Sequence, residues 1–273
     1  MTLVIGRFTD RGLTLHGDIQ LTQPDAAHGH DLFGGELKVV TTHPRIAFGL
    51  AGSQALARQL IRDTAGKDDT DEVLQFARRA TGTGALEVLV STLQPDRLFR
   101  CRGSSVEVYA EGQSWVGDQA AFAGYQGIAA QLRGQHDFDV SSLAIRQLVR
   151  DRLFSGVGGL VVSLLTDTDG FEYSAAIEAH AGTMSPQSIP SHQWSAIRFG
   201  QGPAAGAFTC AICTPAQPGI GAVGIYVYEA GCGAIYWPAT FDEPRVVAAA
   251  TQQEFEKSVS AVLGCQVAAP FLS

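Results

Sequence analysis

The chain has 273 residues, 45% of them hydrophobic, with a formal net charge of −8 and a mean hydropathy of +0.08. That is enough chain for one large domain or two small ones with a sizeable core. An acidic balance with no local Lys/Arg cluster argues against nucleic acid and anionic membrane as partners.

No apolar run reaches the length of a membrane span, and no basic-then-apolar leader opens the chain. Five cysteines (Cys101, Cys210, Cys213, Cys232, Cys265) scattered over this length read as reduced thiols rather than a disulfide framework. A cytoplasmic protein is expected.

In chain order, residues 1–8 read as a strand, and 12–18 as a second strand ending on the carboxylate of Asp18. Thr2 opens the first strand. If Met1 is removed, Thr2 carries a hydroxyl and a free α-amine, so nucleophile and base share one residue. The bland reading is a threonine in an ordinary strand. Residues 23–35 read as a polar loop, and His28 and His30 within it as solvated residues rather than metal ligands.

Residues 38–42 and 46–51 form a hairpin about His43-Pro44-Arg45. Ser53 caps a helix over 54–64, and Asp69 with Glu72 opens a second helix that ends before Gly82. Strands follow at 86–92, 98–101, 106–109 and 112–117. Next come a helix from Asp118 to about Leu132 and another from Ser141 to about Phe154, with Leu143, Leu148 and Leu153 inward. Residues 159–165 read as a strand buried on both faces, returning at 171–177.

From His180 to about Gln201 the prolines suggest an irregular excursion. Beyond it, strands at 207–213, 224–229 and 233–237 and a helix over 244–263 complete the chain. Cys210 and Cys213 lie three apart in a strand, so they point to opposite faces and read as small buried hydrophobes rather than a zinc pair.

These pieces resemble the proteasome β-subunit and its bacterial relatives, N-terminal-nucleophile (Ntn) hydrolases, over roughly residues 2–178. Thr2-Leu3-Val4-Ile5-Gly6 with Leu13 to Asp18 is similar to the family's opening. Lys38-Val39-Val40 with Ile46 to Gly52 is similar to its lysine strand and Ala-Gly terminus. Trp115 to Ala123 and Arg150 to Gly156 are similar to two further family runs.

The resemblance implies an α+β fold, a four-layer αββα sandwich over residues 1–180. Residues 181–273 would be a C-terminal extension adding a β-hairpin and a helix on the same domain. It implies Thr2 as nucleophile, Lys38 lowering the pKa of its amine and hydroxyl, and Asp18 orienting the lysine. Asp151 and Ser155 would bond the terminal amine, and the backbone of Ala51 and Gly52 would form the oxyanion hole.

Asp118 stands where the family has a serine and is an auxiliary candidate. Counted back from Gly52 without a gap, the lysine position falls on Leu37; a turn one residue shorter restores Lys38. No metal or cofactor is implied. A threonine-type peptidase in a homo-oligomeric ring, acting on peptide or protein and fed by an ATP-dependent unfoldase, is expected. The alternatives are a non-catalytic scaffold subunit that retains Met1 and a small-molecule Ntn amidase.

Overall fold

Residues Leu3–Thr9 (β1) and Gly12–Asp18 (β2) pair antiparallel across a tight turn and form the middle of a five-stranded sheet. Its order is β11-β10-β2-β1-β9, with β9 Gln113–Gly117, β10 Val161–Asp167 and β11 Gly170–Tyr173. The structure is a computed structural model that describes residues 2–20, 30–31, 34–133, 140–151, 154, 156–189, 192–199 and 206–270. For 30–31, 181–189 and 192–199 it describes the backbone alone.

A second five-stranded sheet runs β4-β5-β6-β7-β8: Val39–His43, Ile46–Gly52, Leu86–Thr92, Arg97–Arg102 and Ser105–Tyr109. Helices α1 (Gln54–Thr64) and α2 (Thr70–Thr81) pack on it, while α3 (Gln119–Arg133) and α4 (Ser141–Asp151) pack on each other, with α4 against β2 and β10 of the first sheet. The fold is mixed α+β with mainly antiparallel sheets.

Local chemistry explains the helix boundaries. Ser53 accepts the Leu56 N–H at the start of α1, and Asp69 accepts those of Asp71 and Glu72 at the start of α2. The apolar faces close the packing: Leu60 and Ile61 of α1 and Val73 and Ala77 of α2 are buried against the second sheet's core. The first and second sheets approach closely because Gly17 has no side chain; a Cβ there would lie 2.6 Å from Val39 Cγ2.

The last third holds more strands than expected. Residues Ala176–Ile189 (β12), His192–Phe199 (β13), Gly206–Pro215 (β14), Val223–Val227 (β15), Cys232–Tyr236 (β16) and Arg245–Ala248 (β17) form a third sheet. His30–Asp31 (β3) pairs with β13 at its edge. Helix α5 (Gln252–Leu263) covers one face, and Val267–Ala268 (β18) pairs with β14.

The stretch read as irregular, 180–201, is therefore mostly a β12–β13 hairpin. Pro186 is accommodated because β12 pairs with β14 only over 176–182, so beyond that it has a ladder partner on one side alone. The helix expected over 244–263 begins at 252. Arg245–Ala248 is a strand, and Thr251 is the cap, accepting the Glu254 N–H while Glu254 accepts the Ala250 N–H.

Two leucines expected inside are instead exposed. Leu143 and Leu165 are each 39% exposed. A five-residue spacing drifts about 140° around a helix, so α4 turns Ala144, Ile145, Leu148 and Val149 inward instead, and Leu153 lies outside the described residues. Leu165 pairs with Glu172 near the end of its strand.

Strand β12 crosses residue 180 without a break, and one buried cluster joins both parts of the chain. It runs from Val4, Leu15 and Phe48 to Phe208, Cys210, Ile212 and Ile225. Cys213, three residues beyond Cys210, faces the other cluster with Tyr226 and Phe255, as strand alternation requires. Burial pushes the Cys213 thiol up to about 12 and Cys101 to about 11. Among the described residues no helix is long and apolar enough to cross a membrane.

Candidate active site

Strand pairing builds the site around Asp18. The β1–β2 register brings the end of β2 beside the start of β1. There Asp18, fully buried, accepts Thr2 Oγ1–H at 2.6 Å and the Leu3 N–H at 3.1 Å on Oδ1. Its other oxygen, Oδ2, accepts Lys38 Nζ at 2.9 Å, the Gln20 N–H at 3.2 Å and the Gly158 N–H at 3.3 Å. The carboxylate therefore links hydroxyl and ammonium through its two oxygens.

Lys38 supplies the cation. It stands just before β4, where its carbonyl accepts the Leu50 N–H, and a bulge between Thr41 and His43 sets Lys38 rather than Val39 opposite Leu50. Lys38 Nζ also donates to the Gln20 carbonyl. Burial holds its pKa below the ordinary lysine range, against the opposing pull of Asp18 and, further off, Glu36. A desolvated lysine exchanges its proton more readily than an exposed one.

Thr2 itself is 5% exposed and fixed from its other side by β9. The Asp118 N–H donates to the Thr2 carbonyl at 2.7 Å. This approach requires Gly117: its φ is +107°, and a Cβ there would lie 2.0 Å from the Thr2 carbonyl oxygen. The carboxylate of Asp118 has another role, capping α3 by accepting the Ala120 and Ala121 N–H groups at 2.7 and 3.0 Å.

A cavity of about 190 Å³ opens beside Thr2. Lys38, Gln20, Glu36 and Gln54 give it polar walls; Leu37, Leu50, Ala51, Ala57, Ile61 and Leu86 give it apolar ones, and Gly52 completes the lining. The Ser53 N–H bonds Ala85 on one side of β5 and the Leu50 N–H bonds Lys38 on the other. Antiparallel alternation places the Gly52 N–H on the Lys38 side of β5, and Gly52 lines the cavity there.

The remaining candidates are placed elsewhere. Asp151, at the end of α4, is 39% exposed in its side chain and pairs with Arg150 at 3.5 Å. Among the described residues no hydrogen bond joins it to Thr2. Ser155 and Met1 lie outside the described residues. The segment after α4 instead reaches the site through Gly158, whose N–H meets Asp18.

Sequence reasoning missed Gly158, Gln20 and Glu36. The Gly158-Gly159 pair was a usable signal, since a Cβ on Gly158 would overlap the Gln20 side chain. Gln20 and Glu36 carried no motif. Among the described residues no group of three or more His, Cys, Asp and Glu could hold a metal. A scan against protein-family models found no match, and a search of curated proteins found none.

Proposed function

We propose that the chain is a threonine-type hydrolase of the Ntn kind, cleaving peptide bonds once Met1 is removed from Thr2. The observation that carries this reading is the Thr2–Asp18–Lys38 chain at the edge of a side-chain-sized cavity. The two helix pairs, one on each of two facing five-stranded sheets, support the corresponding four-layer αββα architecture.

The α-amine freed by loss of Met1 has an ordinary pKa near ~8, and the positive charge of Lys38 would lower it. Thr2 Oγ attacks the substrate carbonyl carbon as the amine takes the hydroxyl proton. Negative charge grows on the carbonyl oxygen near the Gly52 N–H. The amine then returns the proton to the leaving nitrogen as the C–N bond breaks, leaving an ester on Thr2. Water, deprotonated by the same amine, releases the acid. A homo-oligomeric ring that encloses the sites, served by an ATP-driven unfoldase, would confine such an activity.

A second reading is favoured by one observation. The carboxylates of Asp118 and Asp151 are engaged with the start of α3 and with Arg150, not with Thr2. A scaffold subunit that keeps Met1 would have no use for them at the amine.

An electrophilic peptide probe separates the two. The hydrolase should form one covalent adduct that Thr2→Ala abolishes while circular dichroism and melting stay close to those of the parent. Labelling that survives Thr2→Ala would place the nucleophile elsewhere.

A further inference from the structure

Glu36 stands on the wall of the cavity, between it and the C-terminal part of the chain. Its side chain is 13% exposed, and its backbone N–H is fixed to the Ile19 carbonyl at 2.8 Å. Arg58 of α1 approaches from behind, donating Nε–H to Glu36 Oε1 at 2.9 Å. Among the described residues Arg58 reaches that oxygen alone. Arg58 itself does not line the cavity; it lines a small cleft on the far side with Trp237, Phe241, Asp242 and Glu243, and Glu36 stands between the two, lining both.

The charges near the cavity are paired one to one, and Glu36 takes its pairing through one oxygen alone. Lys38 is held by Asp18, and Arg62, one turn beyond Arg58, is held by Asp242 at 2.6 Å. That leaves Arg58 as the counter-charge to Glu36, with Glu243 also on the cleft behind it. A carboxylate in so desolvated a place is costly, and burial does push the Glu36 pKa up against the pull of Arg58 and Lys38. A second cationic or N–H-bearing group brought by a ligand would relieve that cost. An acidic one would add to it, because like charges in a low-dielectric pocket repel strongly.

We infer that Glu36, bound by Arg58 through one oxygen, makes this cavity select substrates whose side chain next to the cleaved carbonyl ends in a cation or an N–H donor. This rests on the threonine-hydrolase reading given above. The apolar walls formed by Leu50, Ala57 and Ile61 would hold the aliphatic stem of such a side chain, leaving its tip to Glu36. A lysine or glutamine side chain has that shape, with an apolar stem and a donating end.

The test uses fluorogenic peptide amides that differ only in the residue acylating Thr2: lysine, glutamine, leucine or glutamate. The parent protein should favour lysine over leucine by about tenfold in kcat/KM, the scale of one hydrogen bond to a charged group, with glutamate poorest. Glu36→Gln should collapse the lysine-to-leucine ratio toward one. Arg58→Gln, assayed at alkaline pH where Glu36 stays ionised without its partner, should widen it, because the carboxylate then has only the substrate to pair with.

A merely structural pair would lower all four substrates together in both variants, leaving the ratios unchanged; that result overturns the inference. If Glu36→Gln fails to fold, the direction of the Arg58→Gln change decides alone. Turnover with unaltered ratios sinks this assignment only. Absence of any Thr2 adduct with every probe sinks the hydrolase reading and this assignment with it.

Discussion

Asp18 is the residue on which the site turns, because five donors converge on its two buried oxygens. Removing its charge leaves the Lys38 ammonium in a desolvated place without a counter-ion, which typically costs about 3–5 kcal/mol. Asp18→Asn should therefore lower the unfolding free energy from urea titration by that order. Asp18→Asn combined with Lys38→Met should recover part of it, since the two costs are not independent. Strictly additive losses would mean that the pair is not coupled.

At this scale the sequence was informative where a strand fixed the geometry. Thr2 and Asp18 come together because antiparallel partners across a short turn must meet, and a hairpin is readable from alternation. The register that turns Lys38 to the site was not readable, because it depends on a single-residue bulge inside β4 that leaves no compositional trace. Glu36 and Gln20 were not readable either: their roles arise from α1 and the Gly158 segment folding back over them.

Among the elements, β12 depends on its tie to α4. Arg146 of α4 pairs with Glu178, which also contacts His180 at 3.2 Å, and His180 stacks on Phe208. Burial, reinforced by the Arg146 charge, holds the His180 pKa down to about 4. Glu178 would pull the other way, but its charge is already engaged by Arg146.

A histidine depressed from 6.5 to about 4 takes its proton in the unfolded chain first. The native state thus gains stability that is fully present above pH 6.5 and is lost as pH falls toward 4. The loss should be about 3 kcal/mol, from 1.36 kcal/mol per pKa unit. In His180→Gln the stability curve should flatten over that interval; an unchanged slope would assign the acid sensitivity to other groups. This link lay in a stretch that read as irregular. Helix starts with a capping side chain at Ser53, Asp69 and Asp118 were legible, whereas Thr251 was hidden behind Pro244, whose ring suggested an earlier helix start.

For the whole molecule, the continuous core argues that the last third is not an appendage. Phe208, Cys210 and Ile225 share one buried cluster with Val4 and Phe48. Ending the chain at residue 180 would strip that cluster of its third-sheet face, so the truncated protein should lose cooperative melting while the full chain shows one transition. Two resolved transitions in the full chain would indicate separately folding parts. The alternation of strands and paired helices over residues 1–178 was legible, because its periods and caps are local. The third sheet was less so, since its pairing joins segments far apart in sequence.

The central claim, that Thr2 acts as nucleophile through its own amine, is tested most directly by mass spectrometry of the mature protein after treatment with an electrophilic peptide probe. The mature chain should lack Met1 and carry one probe adduct mapped to Thr2. A chain that retains Met1, or an adduct mapped to any other residue, would contradict it.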